Sequence, residues 1–411
     1  MNPVFAHGRP PRLAALLAAC LLAAGCTVTP SGAGEKPGTK ASAKQPAAIG
    51  VVTTSRGVRI VHDDWATLGY RWEWSTTPLA AGRGVVGSVD ILGDVIAVQS
   101  KDAWTALVQA NTGNRLWQVR NTSPLTEFEG NVRVNDVLIS CARPELFIME
   151  LGSGNLIARQ PVDVVISTPP LIDGGLAVFG TPTGRVLCHR FGKASGEPLP
   201  PPFADGAMAW EYSLDGAITA TPVQLGGLAG VVTQAGEVFF VDIASGSGAG
   251  RSQISGGVAT DPVTDGQTMF VASLDQSIYA FQPGRSTWTW RYRTADPLRI
   301  QPTCHDGVLY LDVPSEGLIA FDVSGDSLGT ERYGRKLWVN SNVVGRVVAM
   351  RSDELIVWDG KSATLVDKVG GDTIASIKLP KFTRLIPSTF VDGDLYALAE
   401  NGLLAKFSPR R

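Results

Sequence analysis

The sequence is poor in charge, in histidine and in cysteine. Only 18% of its 411 residues are charged, Lys plus Arg (36) nearly balance Asp plus Glu (38), and the formal net charge is −2. A chain without a basic excess or a basic stripe is a poor candidate for nucleic-acid binding. After the first 30 residues, no apolar run approaches the roughly 18 residues that a transmembrane helix needs.

The N-terminus has the organisation of an export signal. Arg9 and Arg12 precede an uncharged apolar run, residues 13–24, which ends at Gly25 and Cys26. A run of this length matches the core of a signal peptide and is too short to span a bilayer. We therefore predict that the chain leaves the cytoplasm.

The residues around Cys26 resemble the lipobox of bacterial lipoproteins, in which small residues precede a cysteine that receives a diacylglycerol. The resemblance implies that Cys26 is lipidated and becomes the mature N-terminus. A competing box ends at Cys20, but it has a shorter apolar core before it and Leu21-Leu22 after it, so Cys26 is preferred. A plain secretory signal with an incidental cysteine is the alternative.

We predict three segments along the chain. Residues 1–25 form a lipoprotein signal peptide, and residues 26–48 form the lipidated Cys with a flexible tether of Pro, Gly, Ser, Ala and Lys. Residues 49–411 form the globular body. That body combines many glycines (46 in the chain) and 44% hydrophobic residues with ten Trp, which is typical of many short strands joined by tight turns and excludes a helix bundle.

The body contains a repeated hairpin. The clearest copy is Met269–Phe281, in which two alternating strands flank a short polar turn, and similar copies occupy residues 177–188, 231–242, 309–322 and 395–407. A second turn, centred on a glycine, follows each hairpin at intervals of 38 to 50 residues. These turn glycines are Gly69, Gly113, Gly154, Gly196, Gly246, Gly284, Gly325 and Gly371.

A period near 43 residues with four strands per unit predicts an all-β propeller. Eight turn glycines indicate eight blades, with seven as the alternative because residues 50–66 fit the count poorly. Residues 70–74 form an outer strand with no blade before it, and the C-terminal hairpin lacks an outer strand. We expect these two ends to pair and close the ring, which hides its open edge.

The segment Leu107–Trp117 (LVQANTGNRLW) resembles the tryptophan-docking repeat of the pyrroloquinoline-quinone (PQQ) family of propellers. Weaker copies occupy residues 241–246 and 366–371. By this resemblance Trp117, Trp210 and Trp290 dock between blades, whereas Trp65, Trp72 and Trp74 are assigned either to closure packing or to an exposed patch.

Enzymes of that family hold PQQ and Ca²⁺ in the central channel, usually under a ring of adjacent cysteines. No two cysteines are neighbours here, and the acidic pair Asp63-Asp64 is interpreted as a solvated turn. Cys188-His189 and Cys304-His305 lie at non-equivalent places of the repeat, where a zinc site or a Cys–His nucleophile cannot be assembled from both pairs. We expect no catalytic residue, no metal ligand and no cofactor.

The combination of a lipobox and PQQ-like blades is similar to the BamB family of outer-membrane assembly lipoproteins. The sequence therefore predicts a non-catalytic, membrane-anchored scaffold of the cell envelope that binds other envelope proteins. A BamB-like accessory role in outer-membrane protein assembly is the first alternative, and a PQQ- and Ca²⁺-dependent dehydrogenase is the second.

Overall fold

The chain begins with a short segment that precedes the repeats. The computed structural model describes residues 50–410 apart from residues 82, 144, 163, 191–207 and 326–332. The opening elements are a two-stranded hairpin, a six-residue helix and a longer strand: β1 (Val51–Thr53), β2 (Arg59–Val61), α1 (His62–Thr67) and β3 (Tyr70–Thr76).

Four-stranded antiparallel sheets, or blades, follow one another along the chain. Blade 1 comprises β4 (Val86–Leu92), β5 (Val95–Ser100), β6 (Thr105–Gln109) and β7 (Arg115–Val119). Blade 2 comprises β8 (Phe128–Val134), β9 (Val137–Ala142), β10 (Glu145–Glu150) and β11 (Leu156–Pro161). Blade 3 comprises β12 (Leu171–Asp173), β13 (Leu176–Gly180), β14 (Arg185–Arg190) and β15 (Met208–Ser213). Blade 4 comprises β16 (Val223–Leu225), β17 (Leu228–Val232), β18 (Glu237–Asp242) and β19 (Gly248–Gln253).

The second half of the body repeats the same plan. Blade 5 comprises β20 (Val263–Thr264), β21 (Met269–Ser273), β22 (Ser277–Phe281) and β23 (Trp290–Arg293). Blade 6 comprises β24 (Thr303–His305), β25 (Val308–Val313), β26 (Gly317–Asp322) and β27 (Arg335–Asn340). Blade 7 comprises β28 (Arg346–Arg351), β29 (Glu354–Trp358), β30 (Ser362–Asp367) and β31 (Thr373–Lys378). Blade 8 joins β3 to β32 (Phe382–Pro387), β33 (Leu395–Ala399) and β34 (Leu404–Pro409).

The two middle strands of a blade are buried on both faces. In β5, Ile96 and Val98 pack towards blade 8, whereas their neighbours Val95 and Ala97 pack towards blade 2. Because successive side chains of a strand point to opposite faces, a blade between two others needs apolar residues at every position. This requirement explains the continuous apolar runs of the repeated hairpins.

The eight blades form a closed ring. Eight apolar clusters fill the core of the described residues, and each cluster joins two consecutive blades, including blade 8 with blade 1. First strands of neighbouring blades contact one another, as β4 does with β8 and β28 does with β32. The first strands therefore lie innermost, and the fourth strands form the outer rim. The count of eight confirms the preferred prediction over seven.

The ring closes in blade 8, where the N-terminal and C-terminal strands pair. Strand β3 is antiparallel to β34, with Tyr70 opposite Pro409 and Thr76 opposite Leu404. Next to this pair, the Arg351 side chain donates hydrogen bonds to the carbonyl oxygens of Gly69 and Arg410 and forms an ion pair with Asp392. Arg351 thus connects both chain ends to blade 7. The predicted closure is confirmed.

Residues 50–66, which fitted the count of repeats poorly, contribute Val58, Ile60 and Trp65 to the interface of blades 7 and 8. Trp65 of α1 is buried and stacks on Phe407, with the ring centroids 3.4 Å apart and an interplanar angle of 11°. The pair Asp63-Asp64 lies in the first turn of α1 rather than in a solvated turn. Carboxylates are favoured there because the first turn of a helix leaves its N–H groups unpaired.

Candidate functional site

The predicted membrane-anchoring signal lies outside the described residues. Cys26, its alternative Cys20 and the tether all precede residue 50, where the description starts. Among the described residues, no helix is both long enough and apolar enough to cross a bilayer. The lipid anchor therefore stays a prediction from the sequence.

Seven of the eight turn glycines fall within the described residues, and Gly196 falls outside them. All seven have a positive φ, between +73° and +87°, and each follows the third strand or, for Gly69, precedes the outer strand of its blade. L-residues with a side chain rarely adopt this left-handed conformation, which explains the recurrence of glycine.

Trp117 and Trp210 dock on the turn of the following blade. The indole N–H of Trp117 donates to the carbonyl oxygen of Leu151 (2.7 Å), and that of Trp210 donates to the carbonyl oxygen of Ile243 (2.9 Å). A Cβ on Gly154 would lie 2.7 Å from the Trp117 ring, and a Cβ on Gly246 would lie 2.6 Å from the Trp210 ring. Gly154 and Gly246 thus have a second function, which is to make room for an indole of the neighbouring blade.

Two further tryptophans dock in the same way: Trp338, which was missed from the sequence, and Trp74, which was assigned to closure packing or an exposed patch. Trp74 donates to the carbonyl oxygen of Ala110 (3.2 Å) across the interface of blades 8 and 1, and Trp338 donates to that of Lys368 (2.9 Å). The sequence contains a signal for this docking, because each of the two tryptophans lies in an outer strand about 30 to 40 residues before a turn glycine. Trp65 and Trp74 are both buried, so closure packing is the correct choice for them.

Trp290 docks on a different glycine from the one that the spacing indicated. A Cβ on Gly334 would lie 2.0 Å from its indole nitrogen, whereas Gly325 precedes the segment 326–332. The Gly334 N–H donates to the carbonyl oxygen of Asp322 (2.6 Å). The equivalent hydrogen bond of the other docking glycines reaches a carbonyl only four residues earlier, as seen at Gly113, Gly154, Gly246 and Gly371. Extra residues in this turn therefore displace the docking glycine from Gly325 to Gly334.

The cysteine and histidine pairs lie on separate blades, with Cys188 on β14 and Cys304 on β24. Both thiols are unpaired, and burial raises the pKa of each to about 12. Burial also raises the pKa of the Cys141 thiol. A thiol must ionise to act as a nucleophile or a metal ligand, so these three are inert near neutral pH. In the described part of the chain, no group of three or more His, Cys, Asp or Glu could hold a metal ion.

A cleft of about 410 Å³ lies between the innermost strands of blades 7 and 8. Arg346 and Val348 of β28 line one side, Arg384 and Ile386 of β32 line the other, and Trp358 lies at the end of β29. Both arginines are exposed to solvent in the cleft, and among the described residues neither makes a hydrogen bond or an ion pair. The cleft therefore presents two unpaired cations beside apolar walls.

Two other depressions have a different character. A cavity of about 830 Å³ lies between the turns of blades 5 and 6, and Asp265 and Asp306 are its charged residues. A groove of about 330 Å³ runs between the N-terminal segment and the end of β31, with Trp65 and Phe382 on its floor and Lys378 on its rim.

An apolar patch is exposed on the outer rim where blades 6 and 7 meet. Leu337 and Val339 of β27 point away from the core, 42% and 46% exposed, on either side of the docked Trp338. Trp338 and Asn340, which alternate with these two residues along β27, hydrogen-bond to the turn 368–373 of blade 7, where Val369 (80% exposed) and Ile374 (50% exposed) are also at the surface. We call Leu337, Val339, Val369 and Ile374 the seam patch. Several large apolar side chains exposed on two neighbouring blades make this part of the rim a candidate surface for binding other proteins.

These features define the class of the protein: an eight-bladed β-propeller with tryptophans docked between blades. Within that class the chain is similar to BamB. A family model described as outer membrane protein assembly factor BamB matches residues 248–407, which run from β19 through blades 5 to 7 and into β34 of blade 8.

Solved structures show the same architecture. BamB from Moraxella catarrhalis is 15% identical with a TM-score of 0.61, over 82% of this chain and 97% of that one. The computationally designed Ika8 protein is 10% identical with a TM-score of 0.62, over 80% and 98%. No curated protein matches the sequence. At these identities the likeness to solved structures establishes the fold, and with the family match it confirms the predicted resemblance to BamB-type propellers.

Proposed function

We propose that the protein is a membrane-anchored, non-catalytic scaffold of the bacterial envelope with a BamB-like accessory role in outer-membrane protein assembly. The observation that carries the proposal is the match of residues 248–407 to the assembly-factor model, on a propeller of the same class. The lipobox-like residues ending at Cys26 support an anchor that holds the propeller at a membrane surface.

The seam patch supports a role in protein binding. Its four residues lie on two neighbouring blades, inside the region that matches the assembly-factor model. An apolar cluster at the rim of a rigid ring can be covered by a partner at little entropic cost, because the outer strands are already ordered. The partner that we infer is an envelope protein with a complementary apolar surface.

The inert thiols support a non-catalytic role. Cys188 and Cys304, each next to a histidine in the sequence, are protonated at neutral pH because burial raises their pKa to about 12. We also propose that no PQQ or Ca²⁺ participates. Incubation with both, an alcohol or a sugar, and an artificial electron acceptor should give no dye reduction, and turnover that depends on PQQ would overturn this part of the proposal.

Partner capture tests the scaffold directly. The full chain, cross-linked in its native membranes, should co-purify with proteins of the outer-membrane assembly machinery. The double variant Leu337→Glu/Val339→Glu should lose those partners and keep its melting temperature, because both side chains are exposed. Val85→Glu is the matched control, since Val85, which directly precedes β4 of blade 1, is 62% exposed and lies outside the seam patch. Equal capture by both variants would contradict docking at the patch, and capture of no envelope protein by the wild type would contradict the scaffold.

The anchor has a separate test. Cys26→Ala should release the protein from membranes and abolish labelling by a radioactive or clickable fatty acid, whereas Cys20→Ala should retain both. The reverse result would move the lipidation site to Cys20. Release by neither variant would show that no lipid holds the protein.

A further inference from the structure

The cleft between blades 7 and 8 is cationic and lacks an acidic partner in its walls. Arg346 extends from β28 and Arg384 from β32, and the other lining residues are uncharged. Both guanidinium groups are accessible to solvent, and partial desolvation lowers the pKa of Arg346. The side chain nevertheless stays charged at neutral pH, as arginine does in proteins.

The nearest carboxylates do not neutralise these cations. Asp261 interacts with Arg346 only at long range, and its Oδ1 accepts the Thr221 N–H at 2.7 Å. Asp90 likewise interacts electrostatically with Arg384, and its Oδ2 accepts a hydrogen bond from the Asn131 side-chain amide at 2.7 Å. Each acid has another hydrogen-bond donor, and among the described residues neither guanidinium group has a hydrogen-bond partner.

The remaining walls are suited to an apolar body. Val348, Ile386 and the half-buried Trp358 line the same space, whose volume of about 410 Å³ lies in the range of small-molecule sites. A guanidinium binds a carboxylate through paired N–H donors, and an indole ring packs against flat apolar groups. Apolar walls with a few converging charged groups are the usual composition of a ligand site.

We propose that this cleft binds a small organic anion, with a carboxylate or similar group on Arg346 and Arg384 and an apolar body against Trp358. The site gives the propeller a small-molecule ligand in addition to its protein partners. It needs no metal ion and no reaction, and it is independent of the seam patch, which lies on the outer rim of blades 6 and 7.

Isothermal titration calorimetry with the full chain tests the proposal. The probes are naphthalene-1-carboxylate and its neutral counterpart naphthalene-1-carboxamide, which share a ring system and differ in charge. The carboxylate should bind at one site per chain, at least tenfold more tightly than the amide. Equal affinity for the two probes, or binding of neither, would overturn the proposal.

Variants locate the site. Arg346→Gln and Arg384→Gln should each weaken binding of the carboxylate about tenfold, and the double variant should lower its affinity to that of the amide. Arg293→Gln is the matched control: it removes one positive charge from an exposed outer strand and should leave the affinity unchanged. If Arg293→Gln lost as much affinity as the two cleft variants, the effect would be one of overall charge and not of the site. Unchanged melting temperatures establish that each variant is folded.

Discussion

Two turn glycines have almost the same backbone conformation and different neighbours. Gly154 has φ +74° and faces the Trp117 ring, whereas Gly284 has φ +77° and nothing within 4 Å of an added Cβ. Alanine variants at the two positions separate two losses of stability: the one caused by a left-handed backbone conformation and the one caused by displacing a docked indole. In blade 4 the outer strand has no tryptophan, and the Gly284 N–H donates instead to the carbonyl oxygen of Ala249 (2.6 Å).

Gly284→Ala should lower the free energy of unfolding by about 1–2 kcal/mol, which is the cost of a left-handed L-residue. Gly154→Ala should cost about 1–3 kcal/mol more, because the new methyl group forces the Trp117 ring out of its place. Denaturant titration of both variants measures the difference. Equal losses would contradict the role of Gly154 as the docking site of an indole.

The buried thiols make a prediction about pH. The pKa of Cys188 and that of Cys304 are raised to about 12 in the folded protein, from an ordinary value near 9. An unfolded chain therefore loses these protons at a lower pH than the folded one. The stability that the buried thiols contribute is fully present below pH 9 and is lost as the pH rises towards 12.

Thiol labelling measures the same property at constant pH. At pH 8 the native chain should react slowly with a disulfide reagent at Cys141 and Cys188, which are fully buried. Cys141, Cys188 and Cys304 should all react once guanidinium unfolds the protein. The variants Cys141→Ser and Cys188→Ser identify the sites by mass spectrometry. Rapid labelling of Cys188 in the native state would contradict its inertness and reopen a nucleophilic role.

At the scale of the elements, closure of the ring depends on contacts between distant parts of the chain. Arg351 ends β28 and donates to the carbonyl oxygens of Gly69 and Arg410, at opposite ends of the body. Its side chain is only 18% exposed, so water replaces these bonds poorly when the guanidinium is removed.

Arg351→Ala should therefore cost about 2–3 kcal/mol of stability, as expected for the loss of buried charge-assisted hydrogen bonds. Arg351→Lys should recover little, because one ammonium group cannot occupy the three positions of a planar guanidinium. Hydrogen exchange should show faster opening of β3 and β34 than of blades 2 to 5. Arg293→Ala, on an exposed outer strand, provides the control. If Arg351→Ala lost no more stability than this control, a role of Arg351 in closure would be contradicted.

The elements that could be predicted from the sequence are those whose signal is local. Tight turns and apolar alternation located the hairpins: Met269–Phe281 contains β21 and β22. The glycine spacing counted the blades because the seven turn glycines within the described residues all have a positive φ that glycine adopts most readily. The same rule selected Gly325 instead of Gly334, since extra residues in a turn leave the spacing pattern ambiguous.

What could not be predicted depends on residues far apart in the chain. Arg351 lies 282 residues from Gly69, and no sequence pattern indicates that the two meet. Arg346 and Arg384 come together only because β28 and β32 are neighbouring inner strands. The seam patch likewise requires the docking of Trp338 on the next blade. A single sequence contains no signal for such contacts, which arise when the ring closes.

At the scale of the whole molecule, the ring presents different chemistry in different places. Its core is a series of apolar interfaces between blades, its inner strands hold an unpaired cationic cleft, and its rim exposes the seam patch. A rigid ring of this type keeps each surface in a fixed position relative to the others. This property is what an assembly scaffold requires of its fold.

The central claim is that an envelope assembly protein docks on the seam patch. The most direct measurement is site-specific photo-cross-linking in living cells, with a photoreactive residue in place of Leu337 and, in a parallel strain, of Val85. The account predicts an adduct from position 337 that contains a protein of the outer-membrane assembly machinery, and no such adduct from position 85. The absence of any adduct at position 337, or the same adducts from both positions, would contradict it.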